Sequence, residues 1–410
     1  MLFTGGAVYV TLALYSIIFF KERTIFLDVS FHLFYIIKDN DFAIQANRFG
    51  AALTQIFPLL SARLNLPLKW VMINYSLGVV LYYFGIFWLC AKVFKNERLG
   101  LAMVLFSTLM VSYTFWWMQI EFAQGIALTI LFFGFIAREK QWQHYNFIEI
   151  ALFFIILFTI AYFHPLIPVV FIYLFLFFLL EKEQIINRKI LWAAGVAFVA
   201  ILYIKNSLLP AANYDANAVE ALDNFELLYP NYLNIPANKN FIQYCLTDYY
   251  LLPTGLIIII GTYLFTRNFI KLALVISFFF GYLLLVNISF YQGMPQFHIE
   301  SFYLPLSIFV IFPLVYDVAP LVRDKRIFFT ILALILIIRL VHIKIRHQPY
   351  TERLAWMEHL LEKTDTLSQK KLIISQEDVP LDTLIMVWGS PYEFWLLSTL
   401  EGNTRSVLIL

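Results

Sequence analysis

Charge is scarce in this sequence. Only 14% of its 410 residues are Asp, Glu, Lys or Arg, against about 25% in a typical soluble domain. Cysteine is nearly absent, with two residues, too few for a disulfide scaffold. Cys90 falls in an apolar run and Cys245 in a polar loop, so the two are not expected to pair. Internal repeats, heptads and low-complexity tracts are missing, as is the apolar–polar alternation of an outer-membrane barrel. Net charge is +2, and nothing in that balance calls for nucleic acid as a partner. Apolar residues, by contrast, are abundant: 61% of the chain is hydrophobic and Phe alone occurs 43 times. A soluble chain of this size would have to show much of that surface to water. An ordinary cytosolic enzyme, a secreted disulfide scaffold and a disordered chain are therefore excluded. An all-α polytopic membrane protein remains.

Read at about 20 residues per crossing, the apolar runs are Leu2–Phe20, Trp70–Ala91, Leu99–Tyr113, Gln119–Ala137, Phe147–Leu180, Ile190–Ile204, Tyr249–Phe265, Leu272–Asn287, Phe302–Tyr316 and Ile327–Leu340. Phe147–Leu180 is too long for one span and is broken by His164-Pro165 and Pro168. It reads as two short helices around a turn at the membrane surface, which makes about eleven transmembrane helices. Loops 92–98, 138–146, 181–189, 266–271 and 317–326 hold 13 Lys and Arg in 41 residues, while the loops between them hold only Lys205 and Lys239. Basic residues resist translocation, so the first set is expected inside and the second outside. The N-terminus is then inside, and the tail 344–410 is outside.

The first run has no basic n-region and no small-residue cleavage site, so it reads as a retained span. Lys21 and Arg23 directly after it favour the opposite orientation for that span alone. A twelfth span at Phe49–Ala62 would remove the conflict. That run includes Gln55 and Pro58 and ends at Arg63, so it reads instead as an amphipathic surface helix.

Three outer segments are long enough to carry chemistry. Loop 21–69 contains FLDVSFHLFYIIK, an amphipathic stretch with Asp28 and His32 on one face. Loop 205–248 is acidic and aromatic, with Asp215, Glu220, Asp223, Glu226 and Asp248. The tail reads as a small α/β module. It has a helix at Glu352–Lys363 and strands at Lys371–Ser375, Thr383–Trp388 and Ser406–Leu410. A further helix opens with Ser390 as cap, Pro391 at its first position and Glu393 at its third. Stopping within SVLIL, the sequence has the look of a chain truncated at 410.

Polar residues at membrane depth are costly and mark function. Glu121, with Gln119 and Gln124 beside it, opens one span. His164 sits at the His-Pro turn, and His298 and Glu300 precede another span start. All lie at outer ends and, with Asp28 and Arg48, are expected to converge on one cavity. No comparable cluster is expected at the inner ends, where acids mix with Lys and Arg. Each residue also has a structural reading. Asp28 and Glu300 would each cap a helix, and Glu121 would hydrogen-bond within the bundle. His164 would end a helix before Pro, and Arg48 and Arg63 would anchor at headgroups. Trp116-Trp117 and Tyr249-Tyr250 read as part of an interfacial belt.

With this topology the chain resembles the GT-C superfamily of integral-membrane glycosyltransferases over most of residues 1–340. The resemblance rests on an inside N-terminus, on Asp28 eight residues after Phe20, on two amphipathic segments in the first outer loop, and on a long later outer loop. It implies a bacterial cytoplasmic-membrane enzyme with its site facing outward, contacting membrane lipids. Such an enzyme transfers a sugar with inversion from a polyprenyl-phosphate carrier to a glycan or lipid acceptor. It also implies that Asp28 is the base. Arg48 would hold the leaving phosphate, helped by Lys205 or Lys239, while Glu121, His164, His298 and Glu300 line the sugar and acceptor pocket. Relatives often pair acids at the first site, where Asp28 stands alone ahead of Asp39 and Asp41. No metal ligand set is expected, and a divalent cation stays open. An O-antigen or exopolysaccharide polymerase or ligase is the second reading, from FAQGIALTILFFGFIAREK followed by AYFHP. A transporter or structural subunit of an envelope complex is the third.

Overall fold

The structure is a computed structural model that describes residues 2–138, 145–181, 185–208 and 223–410. Asp215 and Glu220, with the rest of 209–222, lie outside the described residues. So do 139–144 and 182–184, which fall within two of the basic loops.

The fold is overwhelmingly helical. In chain order the helices are α1 Leu2–Ile18, α2 Phe20–Thr24, α3 Leu27–Asp39, α4 Ala52–Arg63, α5 Leu68–Trp88, α6 Glu97–Phe106, α7 Glu121–Ile136, α8 Phe147–Ala161, α9 Ile167–Leu179 and α10 Arg188–Leu208. They continue as α11 Pro236–Thr247, α12 Leu251–Phe265, α13 Phe269–Ser289, α14 Gln296–Pro313, α15 Lys325–Ile345, α16 Gln348–Thr364 and α17 Ser390–Leu400. Among the described residues five helical stretches are long and apolar enough to cross a membrane: Leu68–Val93, Arg188–Leu208, Phe269–Ser289, Gln296–Leu321 and Lys325–Thr364. The pair α11–α12, bent by 88°, brings the number to six if it counts as one crossing. This is a membrane protein. The helices α1, α7, α8 and α9 are apolar but shorter.

The apolar run from Leu99 does not form the expected full helix. α6 ends at Phe106, and residues 107–120 run as buried irregular backbone. Ser107, Thr108, Ser112 and Thr114 crowd this stretch, and such side chains compete with a helical ladder. Non-helical backbone at this depth needs partners, and buried charged side chains supply them. Arg339 donates from Nε to the Thr108 carbonyl at 2.9 Å and from Nη2 to that of Val111 at 2.8 Å. Glu300 accepts the N–H groups of Ser112 and Thr114, each at 2.8 Å. Arg23 donates to the Phe115 carbonyl at 2.9 Å. The Trp pair is accordingly inside rather than in a belt: Trp116 is fully buried and donates Nε1–H to the Ile343 carbonyl at 3.0 Å. Tyr249 is equally buried, with its hydroxyl on Glu300.

The tail keeps its α/β character in reduced form. β1 (Lys371–Ile374) and β2 (Ser406–Ile409) pair in parallel as a two-stranded sheet beside α16 and α17. The strand expected at Thr383–Trp388 is absent. A helical turn, Leu381–Leu384, takes its place, and Arg353 occupies the Leu384 and Met386 carbonyls that a strand partner would use. Ser390 is the first residue of α17 and not its cap, which is Gly389. Its Oγ accepts the Ile409 N–H at 3.1 Å, tying helix to sheet. Both cysteines are free.

Candidate functional site

Asp28, Arg48, Glu121, His164 and His298 line one cavity of about 330 Å³. They arrive from α3, the loop before α4, the start of α7, the α8–α9 turn and the start of α14. Two glycines let these elements meet. A Cβ on Gly50 would stand 2.6 Å from the Phe163 ring, and one on Gly125 would stand 2.7 Å from Phe163 and Ile167. Phe163 is thus wedged between the two backbones that carry Arg48 and Glu121, which puts its neighbour His164 beside them. Just before Arg48 the chain turns through two left-handed residues, Ala46 (φ 48°) and Asn47 (φ 58°). Asn tolerates that region and Ala does not, so the turn stores strain.

Asp28 does not cap its own helix. α3 starts at Leu27 with Phe26 before it and no side-chain cap of its own. The Leu27 N–H is taken instead by Glu393 Oε1 at 2.6 Å, from the tail. The Asp28 carboxyl is therefore left for the cavity. Burial and the nearby Glu121 charge push it up to about 7, against the pull of Trp117 and Arg48. Arg48 Nη1 lies 3.6 Å from Glu121 Oε2, a loose pair whose side chains are each 15% exposed. Burial pushes the His32 imidazole down, and it does the same to His164 with help from the Arg48 and Lys205 charges. Both rings are neutral at pH 7. His164 does close its turn, with Nδ1 accepting the Leu166 N–H at 3.2 Å. The proton of the neutral ring is then on Nε2. The same ring stacks on Phe122 at 4.4 Å.

The cavity wall also holds His32, Gln45, Trp117, Gln119, Ser301 and Phe302. Trp117 and Gln119 come from the irregular segment, whose inward course no periodicity signals. Two wall atoms, Gln119 Nε2 and His298 Nδ1, are buried without a hydrogen bond among the described residues, while His32 Nδ1 and Trp117 Nε1 have Asp28 beside them, its backbone and its carboxyl in turn. Each unpartnered atom costs about 1–3 kcal/mol if left dry, and both are open to polar groups that enter the cavity.

Three expected site residues lie elsewhere. Glu300 is fully buried, two residues from His298 but turned inward. It accepts from the Ser112 and Thr114 N–H groups, from Thr114 Oγ1 at 2.6 Å and from the Tyr249 hydroxyl at 3.1 Å. It anchors the irregular segment. Lys205 reaches the Ala161 carbonyl at 2.8 Å, at the end of α8. Lys239 stands exposed on α11, away from the cavity wall. Among the described residues no three His, Cys, Asp or Glu side chains gather in a way that could hold a metal ion.

A second polar cluster, not expected from the sequence, lies beyond the far end of α14. Lys271 Nζ meets Glu181 Oε2 at 2.6 Å and Asp317 Oδ1 at 2.7 Å, and the Tyr263 hydroxyl donates to Asp317 Oδ2 at 2.6 Å.

No protein-family model matches the chain, and neither a curated protein nor a solved structure matches it.

Proposed function

We propose that the chain is an inverting glycosyltransferase of GT-C type in the bacterial cytoplasmic membrane. It moves a sugar from a polyprenyl-phosphate carrier to a glycan or lipid acceptor at the outer face. One observation carries the reading: the Asp28 carboxyl, which burial raises to about 7, the Arg48 guanidinium and two unpartnered polar atoms, Gln119 Nε2 and His298 Nδ1, share one cavity. A general base works best with a pKa near the operating pH. Arg suits a phosphate through its planar fork. In the step itself, the acceptor oxygen bonds the anomeric carbon while Asp28 takes its proton. The bond from that carbon to the phosphate oxygen breaks, and its electron pair stays on the phosphate, where Arg48 offsets the charge. Glu121 holds Arg48 in reach, and His32, Gln119, His164 and His298 face the sugar hydroxyls.

The topology belongs to the same proposal. Counting α1, α5, α6 with its irregular continuation, α7, α8, α9, α10, the bent pair, α13, α14 and α15 as crossings gives eleven, with the N-terminus inside and cavity and tail outside. The charge alternation of the loops supports that orientation. A transporter is the second reading, favoured by the break after Phe106 and the 88° bend. The break is, however, fastened by Glu300 and Arg339, which argues against a moving gate.

The test is a deletion strain. The proposal expects one envelope glycan to lose a sugar and the corresponding polyprenyl-phosphate sugar to accumulate, with wild-type but not Asp28→Asn protein restoring both. An unchanged lipid-linked sugar pool would sink it.

A further inference from the structure

The C-terminal module closes on the chain next to Asp28. Glu393, fully buried at the start of α17, accepts the Leu27 N–H with one oxygen and pairs with Arg353 of α16 through the other. Arg353 is also buried, and its guanidinium lies over the Phe26 ring at 5.2 Å. Leu27 has φ of 40°, a left-handed conformation that a bulky side chain avoids. Such backbone persists only when its surroundings hold it. The module supplies that hold from a second side as well. A Cβ on Gly389 would stand 2.9 Å from the Leu27 Cα, so the module's backbone is in direct contact with the strained residue. Asp28 follows at once, with its carboxyl in the cavity.

We propose that Glu393, fixed by Arg353, is a positioning residue for Asp28, so that the tail module sets the position and the charge surroundings of the transferase base. The inference rests on the reading of Asp28 as that base. Two effects are combined in one carboxylate. By holding the Leu27 N–H it fixes the first turn of α3 and the direction of the Asp28 side chain. By its charge it disfavours the ionised form of Asp28. The other groups facing Asp28 are Glu121 from α7, Arg48 from the loop before α4, Trp117 from the irregular segment and His32 on the same helix. None of these is hydrogen-bonded to the Glu393 side chain, whose partners are the Leu27 N–H and Arg353.

The experiment compares Glu393→Ala, Glu393→Gln and Asp28→Asn with wild type in lipid nanodiscs. It measures release of undecaprenyl phosphate from whichever undecaprenyl-phosphate hexose the wild type consumes, as a function of pH. Glu393→Ala should lower kcat roughly 10- to 100-fold, with the donor KM within about twofold, because misplacement costs rate and not binding. Glu393→Gln keeps an oxygen for the Leu27 N–H but turns its NH2 to Arg353, so it should recover part of that kcat. Its acidic limb should move to lower pH, because a negative charge has left the surroundings of Asp28. Wild-type kcat in Glu393→Ala, or equal losses in both variants with an unmoved limb, would overturn the proposal. If Glu393→Ala fails to fold, the limb of Glu393→Gln decides alone. Asp28→Asn separates the two levels: full activity there removes the base and the positioning residue together. Loss there with wild-type behaviour at position 393 removes only the latter.

Discussion

One helix, α14, separates two polar clusters of opposite character. His298 at its start faces the cavity, and Asp317 beyond its end joins Lys271, some 19 residues on, which is about 28 Å along a helix. Both clusters mix acids with a basic residue inside an apolar bundle. At the Lys271 end the contacts are 2.6–2.7 Å, and no atom of Lys271, Glu181, Asp317 or Tyr263 is buried without a partner. At the His298 end Arg48 and Glu121 stand 3.6 Å apart, and Gln119 Nε2 and His298 Nδ1 are buried with no hydrogen bond among the described residues. A closed ion cluster holds helices together. Unpartnered buried atoms carry a desolvation cost that water or a bound ligand relieves. On the proposed function, that contrast gives structure to one end of the bundle and binding to the other.

Three substitutions test that contrast through four measurements. Asp28→Asn should reduce sugar transfer about 10²- to 10⁴-fold, the range of a general base, while the protein stays folded. Turnover of polyprenyl-phosphate donors by purified protein checks this. Lys271→Met should do the reverse. It takes the shared cation from two half-buried carboxylates and should cost about 3 kcal/mol of stability, seen as a lower Tm in detergent, with turnover per folded molecule unchanged. A catalytic defect in folded Lys271→Met would erase the distinction. Arg48→Ala should weaken binding of undecaprenyl phosphate by about 1.5–3 kcal/mol, as for a lost charged hydrogen bond, measured by native mass spectrometry. The smallest effect is on stability. Burial raises Asp28 to about 7, so the folded state keeps this proton more tightly than the unfolded chain does. The stability linked to it is full below the ordinary carboxylate range and is lost as pH climbs toward 7. Asp28→Asn should therefore melt higher than wild type at about pH 8 and together with it at about pH 4.

Some of this was legible in the residues. Asp28, Arg48, Glu121, His164 and His298 stand out because polar groups at the ends of apolar runs need a reason to be there, and the fold collects all five around one cavity. Hydropathy misleads where it cannot see direction. Glu300 is two residues from His298 yet points the other way, into the amides of the irregular segment. Trp116 and Trp117 look like a belt because belts are where tryptophans usually sit. They are interior because Ser and Thr residues break the helix before them. The Lys271 cluster was hidden because Glu181, Lys271 and Asp317 each lie in a basic loop that reads as solvated. Nothing local marks Glu393 either, since its partners are 366 and 40 residues away.

The most direct test of the account is the pH–rate profile of undecaprenyl-phosphate sugar turnover by wild type and Asp28→Asn, measured side by side in nanodiscs. The account predicts a wild-type acidic limb centred near pH 7, where burial places Asp28, and a residual rate about 10²- to 10⁴-fold lower in Asp28→Asn with that limb gone. Transfer by Asp28→Asn at the wild-type rate, with the same limb, would contradict it.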